Sequence, residues 1–199
     1  MKNRKGLLTG LIAVLAFVLV PTLSFAQDDA EQTFSIDPAH SSVLFRANHM
    51  DIGYVFGMFP EISGEFTFNK EDPSASSVNI EVQAGSVETF VDKRDKHLRS
   101  PDFLSAKEFS TITFESNDIE KADGKTYKVT GDFTIRDVTK EITIDVKHLG
   151  SGKGPEGNFR RGFYTEFDID RTQFNVDWNP KVVGKKLRII LAFEGVVKN

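Results

Sequence analysis

The 199-residue chain contains no cysteine, so neither a disulfide bond nor a lipid attached through cysteine contributes to it. It has one tryptophan and three tyrosines against eighteen phenylalanines. The chain also lacks G-x-S-x-G, H-E-x-x-H and P-loop motifs. These motifs are common signatures of serine hydrolases, zinc peptidases and P-loop nucleoside triphosphatases. Stability must therefore come from packing, and no catalytic motif stands out.

The first residues have the pattern of a secretory signal. Lys2, Arg4 and Lys5 precede the apolar run "LLTGLIAVLAFVLV", and Ser24-x-Ala26 places small residues before a cleavage site. This pattern predicts a signal peptide over residues 1–26 and a mature domain over 27–199. A retained membrane anchor is the alternative, but the run is short for a membrane span. We expect a periplasmic protein.

Charge limits the partners of the mature domain. The whole chain carries −4, and the predicted signal holds three basic and no acidic residues, so residues 27–199 would carry −7. This balance argues against binding to nucleic acid or to an anionic membrane surface.

Apolar and polar residues alternate through most of the mature chain, which is typical of half-buried strands. Eight such segments are "SSVLFRANH", "GEFTFN", "SVNIEVQAGSV", "STITFESN", "YKVTGDFTIR", "KEITIDVKHL", "RGFYTEFDID" and "KKLRIILAFEGVV". Alternation alone leaves a two-sheet sandwich and a closed barrel open. Residues 51–61 and 92–106 break the pattern and are predicted to hold one or two helical turns each. In the second, Asp92 would cap the helix and Pro101 would end it.

Six segments together resemble the YceI-like family of bacterial periplasmic polyisoprenoid-binding proteins. They are "IDPAHSSVLFRANH", "GMFPEISGEFTF", "GSVETFVDKRDKHLRSPDFLSAKEFSTITFES", "VTGDFTIRDVTKEITIDV", "GFYTEFDIDRTQFNVDW" and "VGKKLRIILAFEG". The resemblance implies an all-β fold: an extended, eight-stranded, antiparallel, lipocalin-like barrel with one or two short helices. Its apolar cavity would hold a polyisoprenoid, such as an isoprenoid quinone or a prenyl phosphate. Asn175 and Lys185 depart from the family, which usually has Gly and an acidic residue there.

The residues predicted to contact such a lipid are mainly phenylalanines, because Phe buries an aromatic ring without a polar atom. The predicted set is Phe45, His49, Phe56, Met58, Phe59, Arg94, His97, Leu98, Phe103, Phe114, Phe133 and Phe167. The segment "NHMDIGYVFGMFP" is interpreted either as a lid with Gly53 and Gly57 as hinges or as a plug in one barrel end.

Two polar groups of residues are open to more than one interpretation. Arg94, His97 and Leu98 would lie on one side of the short helix. Arg94 and His97 would face either a lipid head group or a structural network with Asp95 and Arg99. The four histidines show no metal-ligand spacing, so no metal or other cofactor is predicted beyond the bound lipid.

The leading function is a lipid-binding carrier or store, acting as a monomer or homodimer in transient contact with a membrane or a membrane enzyme. A second candidate is a hydrolase or isomerase in which His49 or His97 pairs with a carboxylate beside the lipid. A third is a stress protein that binds fatty-acid derivatives, and a fourth is a secreted protein that binds a protein partner through an exposed apolar patch.

Overall fold

The computed structural model describes residues 32–198 as a chain of antiparallel strands with one α-helix. The strands are β1 (Gln32–Ile36), β2 (Ser42–His49), β3 (Gly53–Phe59), β4 (Ile62–Phe68), β5 (Ser77–Gln83), β6 (Thr111–Asp123), β7 (Thr126–Ile135), β8 (Val138–Lys153), β9 (Phe159–Asp170) and β10 (Val183–Val197). Helix α1 spans Asp92–Leu98, and 3-10 turns cover Pro38–His40, Pro73–Ala75, Ala84–Ser86 and Arg171–Phe174. The predicted signal peptide lies outside the described residues. Within residues 32–198, no helix has the length and apolar character needed to cross a membrane.

The strands form one sheet in the order β1-β4-β5-β6-β7-β8-β9-β10, and a pairing between β1 and β10 closes it into a barrel. Strands β2 and β3 extend the sheet beyond β10. β10 pairs with β2 over Val183–Ala192 and with β1 over Gly195–Val197, so β1 and β2 act as one bent strand. The bend falls at Pro38–His40, where the Asp37 carboxylate accepts a hydrogen bond from the N–H of Ala39. Closure leaves few strand edges exposed.

The structure confirms the predicted all-β barrel and the eight predicted strands, which correspond to β2 and β4–β10. Two further strands were not predicted. β1 begins at Gln32, in the polar stretch that follows the predicted signal peptide. The prediction of helical turns over residues 51–61 is wrong, because Gly53–Phe59 is a strand paired with β2 along its whole length. Val55, Gly57 and Phe59 alternate as a strand requires, but Gly53 and Gly57 have no apolar side chain that would make the alternation visible in the sequence.

Inward and outward residues alternate as the sequence predicts. In β7 the buried residues are Tyr127, Val129, Gly131, Phe133 and Ile135, while their neighbours are exposed or half-buried. Burying one large apolar side chain contributes about 1.5–3 kcal/mol, so these inward rows supply most of the stability.

The glycine at position 131 lies opposite an irregularity in the pairing of β6 with β7. The pairing of β6 with β7 slips between Ser116 and Asp118, directly opposite Gly131. A Cβ atom at 131 would lie 2.3 Å from the carbonyl oxygen of Glu115 and 2.8 Å from the Phe114 ring. Only glycine fits there, and the bulge increases the local strand twist that a barrel needs.

Candidate functional site

A cavity of about 190 Å³ runs along the inside of the barrel. It extends from Phe68 and Tyr127 near one end to Leu98 and Phe103 beneath helix α1 at the other. Its accessible wall is made of apolar atoms. One water-sized sphere needs roughly 10–15 Å³ of such space, so the cavity has room for a row of about a dozen such spheres. An apolar cavity of this form suits a hydrocarbon tail, and its accessible wall offers no partner to a charged group.

Seven of the predicted lipid-contacting residues line this cavity: Phe45, Phe59, Leu98, Phe103, Phe114, Phe133 and Phe167. The prediction omitted most of the aliphatic wall, above all Leu187, Ile189 and Leu191 of β10. These side chains remain partly accessible although they point inward, because they border empty space. Their alternation placed them on the inner face, but nothing local distinguishes a cavity wall from a packed core.

Phe56, Met58 and His49 do not line the cavity. Phe56 lies opposite Arg46 on the outer face of the β2–β3 pair, and 57% of it is exposed. Met58 is half-buried on the same face, and His49 is half-buried at the end of β2, paired with Gly53. The strand period of two explains the placement of Phe56 and Met58, because Phe45, Gly57 and Phe59 occupy the inner face.

Arg94 is engaged in a hydrogen-bonded network at the start of α1. Its Nε donates to the Thr89 hydroxyl at 2.7 Å, and its Nη2 donates to the Thr89 carbonyl at 2.8 Å. The buried Asp95 carboxylate accepts hydrogen bonds from both the N–H and the hydroxyl of Thr89. Arg99 donates to the Val87 carbonyl at 3.0 Å. The network therefore fastens α1 to the segment before it, and the helix begins after Val91 rather than with Asp92 as its cap.

Helix α1 with residues 99–104, and residues 171–184, cover one end of the cavity and are called the cap. His97 packs on the outside of this cap. Its ring meets the edges of Phe103 and Trp178, with ring centroids 5.0 Å apart in both pairs, and its Nε2 lies 2.8 Å from the Asp102 carboxylate. His97 does not line the cavity, whereas its neighbour Leu98 does. Leu98 therefore lies on the inner side of the short helix and His97 on its outer side.

Arg171, which the prediction missed, holds the other half of the cap. It is 2% exposed, and its guanidinium donates to the carbonyls of Val176, Trp178, Val183 and Gly184. Within the described chain it is the one charged residue bordering the cavity, and no carboxylate there lies within ion-pair distance. Burial lowers the pKa of this guanidinium. An arginine followed by polar residues gave no local sign of burial.

The same cap contains Asn175, one of the two departures from the family pattern. Its φ of 57° is left-handed, a conformation that glycine adopts freely and that asparagine tolerates better than most residues. Its carbonyl accepts a hydrogen bond from Arg136, which also donates to the carbonyl of Phe103. The loop shape is therefore compatible with the substitution.

The opposite end of the barrel is filled with aromatic rings. Phe34 stacks on Phe66 with centroids 4.8 Å apart, and Phe163 stacks on Phe193 at 5.2 Å. The His148 ring lies against Phe68 and Phe163, with ring centroids 5.2 and 5.1 Å apart. Burial lowers its pKa below the usual 6.5.

Among residues 32–198, Asp37, His40 and Glu194 form one group whose potential metal-ligand atoms lie within 4.8 Å of one another. The Arg160 guanidinium already occupies the group, 2.7 Å from Asp37 and 2.6 Å from Glu194. Hydrogen bonds from Arg160, and then from His40, lower the pKa of the Asp37 carboxyl to about 2. The group acts as an ion-pair network that joins the bend after β1 to β9 and β10.

Comparison with known sequences relates the chain to several bacterial proteins. A UPF0312 protein of Pectobacterium carotovorum is 37% identical over 167 residues, which are 84% of this chain and 86% of that protein. Protein YceI of Salmonella newport is 34% identical over 193 residues, which are 97% of this chain and 98% of that protein.

Solved structures share the fold. Burkholderia cenocepacia BcnA has a TM-score of 0.74 at 23% identity, covering 80% of this chain and 98% of that chain. The Campylobacter jejuni YCEI protein scores 0.69 at 28% identity, with 76% and 90% covered. A polyisoprenoid binding domain from Saccharophagus degradans, implicated in plant cell wall breakdown, scores 0.65 at 12% identity, with 84% and 99% covered. The sequence profile of the YceI-like domain matches residues 34–195, and the chain therefore belongs to the YceI-like family.

Proposed function

We propose that the protein binds a polyisoprenoid or a related long-chain amphiphile in its barrel and carries or stores it in the periplasm. The observation that carries this proposal is the apolar wall of the long internal cavity. The structural likeness to a polyisoprenoid binding domain supports the lipid class. An isoprenoid quinone and a prenyl phosphate are the specific candidates, delivered through transient contact with a membrane or a membrane enzyme.

Energetics assign different roles to the lipid tail and its head group. Each buried methylene contributes roughly 0.8 kcal/mol, so a dozen contribute on the order of 10 kcal/mol. Binding costs roughly 4–15 kcal/mol in lost freedom, which only a long tail can offset. The accessible atoms of the cavity wall are apolar, and Arg171 donates to backbone carbonyls, so the wall offers no free polar partner to a phosphate or quinone head. We therefore expect tail length to set affinity and the head group to remain outside the wall.

Lipid analysis of the secreted protein tests the proposal. The full chain is expressed in a Gram-negative host, purified from the periplasm and examined by native mass spectrometry and lipid extraction. We expect a stoichiometric isoprenoid lipid. After delipidation, a quinone series of increasing tail length should bind with increasing affinity. Trp178, the single tryptophan, touches the cavity residue Phe103 at 5.3 Å between ring centroids and provides the fluorescence signal. A lipid-free protein with no saturable quinone uptake would refute the proposal.

Catalysis on the bound lipid is a second candidate, favoured by the His97–Asp102 pair at 2.8 Å. Such a pair resembles a general base with its orienting carboxylate. Both residues lie outside the cavity wall, and the Nε2 atom of His97 is already engaged by Asp102. Incubation of the lipid-loaded protein, with His97→Ala as the comparison, tests this candidate. Lipid turnover that the substitution abolishes would favour catalysis over carriage.

A further inference from the structure

We propose that the tip of the β2–β3 hairpin and the loop before α1 form a docking face for an anionic lipid surface. The docking face comprises Met50, Ile52, Tyr54, Phe56, Phe90 and Val91. This inference rests on the proposed lipid-binding function and names the surface with which the protein exchanges its ligand.

The docking face collects the exposed apolar side chains of the protein. Among the described residues, seven large hydrophobic side chains are exposed, and six of them belong to this face; Leu149 is the seventh. Ile52 is 81% exposed and Phe90 is 78% exposed. Single exposed apolar residues are ordinary, but a cluster confined to two adjacent tips marks an interaction site. Aromatic and aliphatic tips of this kind suit the boundary between head groups and acyl chains.

A short β-bridge brings the two parts of the face together. The N–H of Met58 donates to the carbonyl of Glu88 at 2.9 Å, and the N–H of Glu88 donates back to Met58 at 2.9 Å. The side chain of Thr89, which precedes Phe90, would lie 2.7 Å from a Cβ atom at Gly57, which follows Phe56. The hairpin and the loop therefore present one surface.

The loop that carries Phe90 is held in a costly conformation. Phe90 has a φ of 63°, in the left-handed region that bulky residues avoid. The Thr89–Asp95–Arg94 network directly before and after it fixes this turn. Because the Phe90 ring is exposed, no packing in the core offsets the cost of this backbone conformation. A buried network that displays an exposed phenylalanine is consistent with a binding surface.

A basic pocket on the same outer face supplies charge complementarity. Arg46 of β2 lies directly opposite Arg188 of β10, and Lys186 lies beside them. The Arg46 guanidinium sits 4.4 Å from the centre of the Tyr54 ring, which belongs to the docking face. Asp168 pairs with Lys186 and Arg188, whereas Arg46 has no carboxylate partner among the described residues. Guanidinium groups bind phosphate well, so Arg46 suits the phosphate of a phospholipid head group.

The surrounding charges limit the attraction to short range. Asp51 lies in the hairpin turn and Glu88 in the bridge, and both are exposed; the whole chain carries −4. Long-range attraction to an anionic bilayer is therefore weak, and contact between Arg46 and individual phosphates must supply the preference for anionic lipid.

The docking face also adjoins the cavity wall. Arg46 and Asn48 point outward from β2, while Phe45 and Ala47 line the cavity. In the described chain, the seam between β3 and residues 84–91 is closed by the single Met58–Glu88 bridge. A bilayer against this face would lie next to this seam.

Vesicle co-sedimentation of the full mature chain tests the proposal. The probes are phosphatidylcholine vesicles and vesicles of phosphatidylcholine mixed with phosphatidylglycerol. We expect binding to the mixed vesicles that weakens at high salt. The double variant Ile52→Gln/Phe90→Asn should bind at least about tenfold more weakly, because two apolar insertions are lost. Asparagine suits the left-handed φ at 90, so the variant should fold. Arg46→Gln should reduce binding to the mixed vesicles and leave binding to neutral vesicles unchanged.

Leu149→Gln is the matched control, because Leu149 is 53% exposed and lies on β8, outside the docking face. Its vesicle binding should equal that of the unsubstituted protein. Quinone uptake from detergent, followed by Trp178 fluorescence, should be the same for every variant. Equal vesicle binding by Ile52→Gln/Phe90→Asn, or no vesicle binding by a protein that does take up quinone, would overturn the docking face alone. Self-association that this double variant abolishes, without vesicle binding, would also overturn it. Loss of quinone uptake by the unsubstituted protein would instead refute the proposed function.

Discussion

The ring of Phe45 occupies the space in which a side chain at position 57 would lie. Phe45 and Gly57 are directly paired across β2 and β3, and a Cβ atom at 57 would lie 2.3 Å from the Phe45 ring. The glycine is therefore required by close packing. The sequence analysis left this segment as either a lid with Gly57 as a hinge or a plug, and the close packing at Gly57 argues against a hinge there.

Gly57→Ala is predicted to destabilise the protein by roughly 1–3 kcal/mol, because the added methyl forces Phe45 from its position. Since Phe45 lines the cavity, the displaced ring should also weaken lipid binding. Gly53→Ala in the same strand is the control, because nothing lies within 4 Å of a Cβ atom there. Urea unfolding and quinone titration measure both effects. Equal stability of the two variants would contradict the packing explanation.

Filling the cavity should separate binding from folding. Ile189→Phe/Leu191→Phe places two larger side chains on the inner wall, where empty space receives them. We expect lipid affinity to fall about tenfold or more, because roughly two methylene contacts are worth that factor. The unfolding free energy should change by less than about 1 kcal/mol.

Ile190→Phe is the comparison for the cavity variant. Ile190 lies between the two positions and points outward, opposite Leu44 and Glu166. Its substitution should leave quinone affinity unchanged in the same titration. If the inner and outer variants bound quinone equally well, the barrel interior would not be the lipid site.

Arg171→Met should destabilise the protein by more than about 3 kcal/mol, because four backbone carbonyls lose their shared donor inside the cap. Arg171→Lys should recover only part of this, since an ammonium group cannot reproduce the planar fork. The measurement is urea unfolding followed by circular dichroism.

Arg188→Met is the control for the arginine variant. Arg188 pairs with Asp168 on the outer surface, and such surface pairs contribute about 0–1 kcal/mol. A loss at position 171 no larger than that at 188 would show that the cap does not depend on the Arg171 carbonyl network.

Stability is predicted to fall with acid in two steps. Burial lowers the pKa of His148, so the unfolded chain takes up a proton first as pH falls below about 6.5. The stability that neutral His148 contributes is present above that pH and declines as the pH falls through the lowered folded value. His148→Phe should remove this first decline in urea midpoints measured from pH 8 to pH 5. An unchanged slope would show that the ring becomes protonated without cost.

The second step belongs to Asp37. Its pKa is lowered to about 2 by Arg160, so its contribution is present above 3.8 and is lost as pH falls toward 2. The contribution is about 2 kcal/mol at neutral pH. Asp37→Asn should therefore lower neutral stability by about this amount and flatten the curve below pH 4. A variant with unchanged neutral stability would contradict the role of the Asp37–Arg160–Glu194 network.

Seven of the twelve predicted lipid-contacting residues lie on the wall of the cavity. Phe114, Phe133 and Phe167 were predicted to contact lipid because they alternate with polar neighbours, and the structure places them on the cavity wall. Arg94 and His97 were assigned to the same helix face as Leu98, but only Leu98 reaches the cavity. Helical spacing fixes which residues share a face; it does not fix how the helix is rotated over the barrel end. That rotation depends on Thr89, Phe103 and Trp178, which come from other segments.

By itself, the sequence determined eight of the ten strands, their inner faces and the need for stability without disulfide bonds, because these follow from residue type and a period of two. Only the tertiary structure decided that β1 closes on β10, that Gly53–Phe59 is a strand and that Arg171 is buried. Each of these depends on contacts that local alternation does not specify. The partner strand supplies the hydrogen bonds and the opposite wall supplies the packing, and both come from residues distant in the chain.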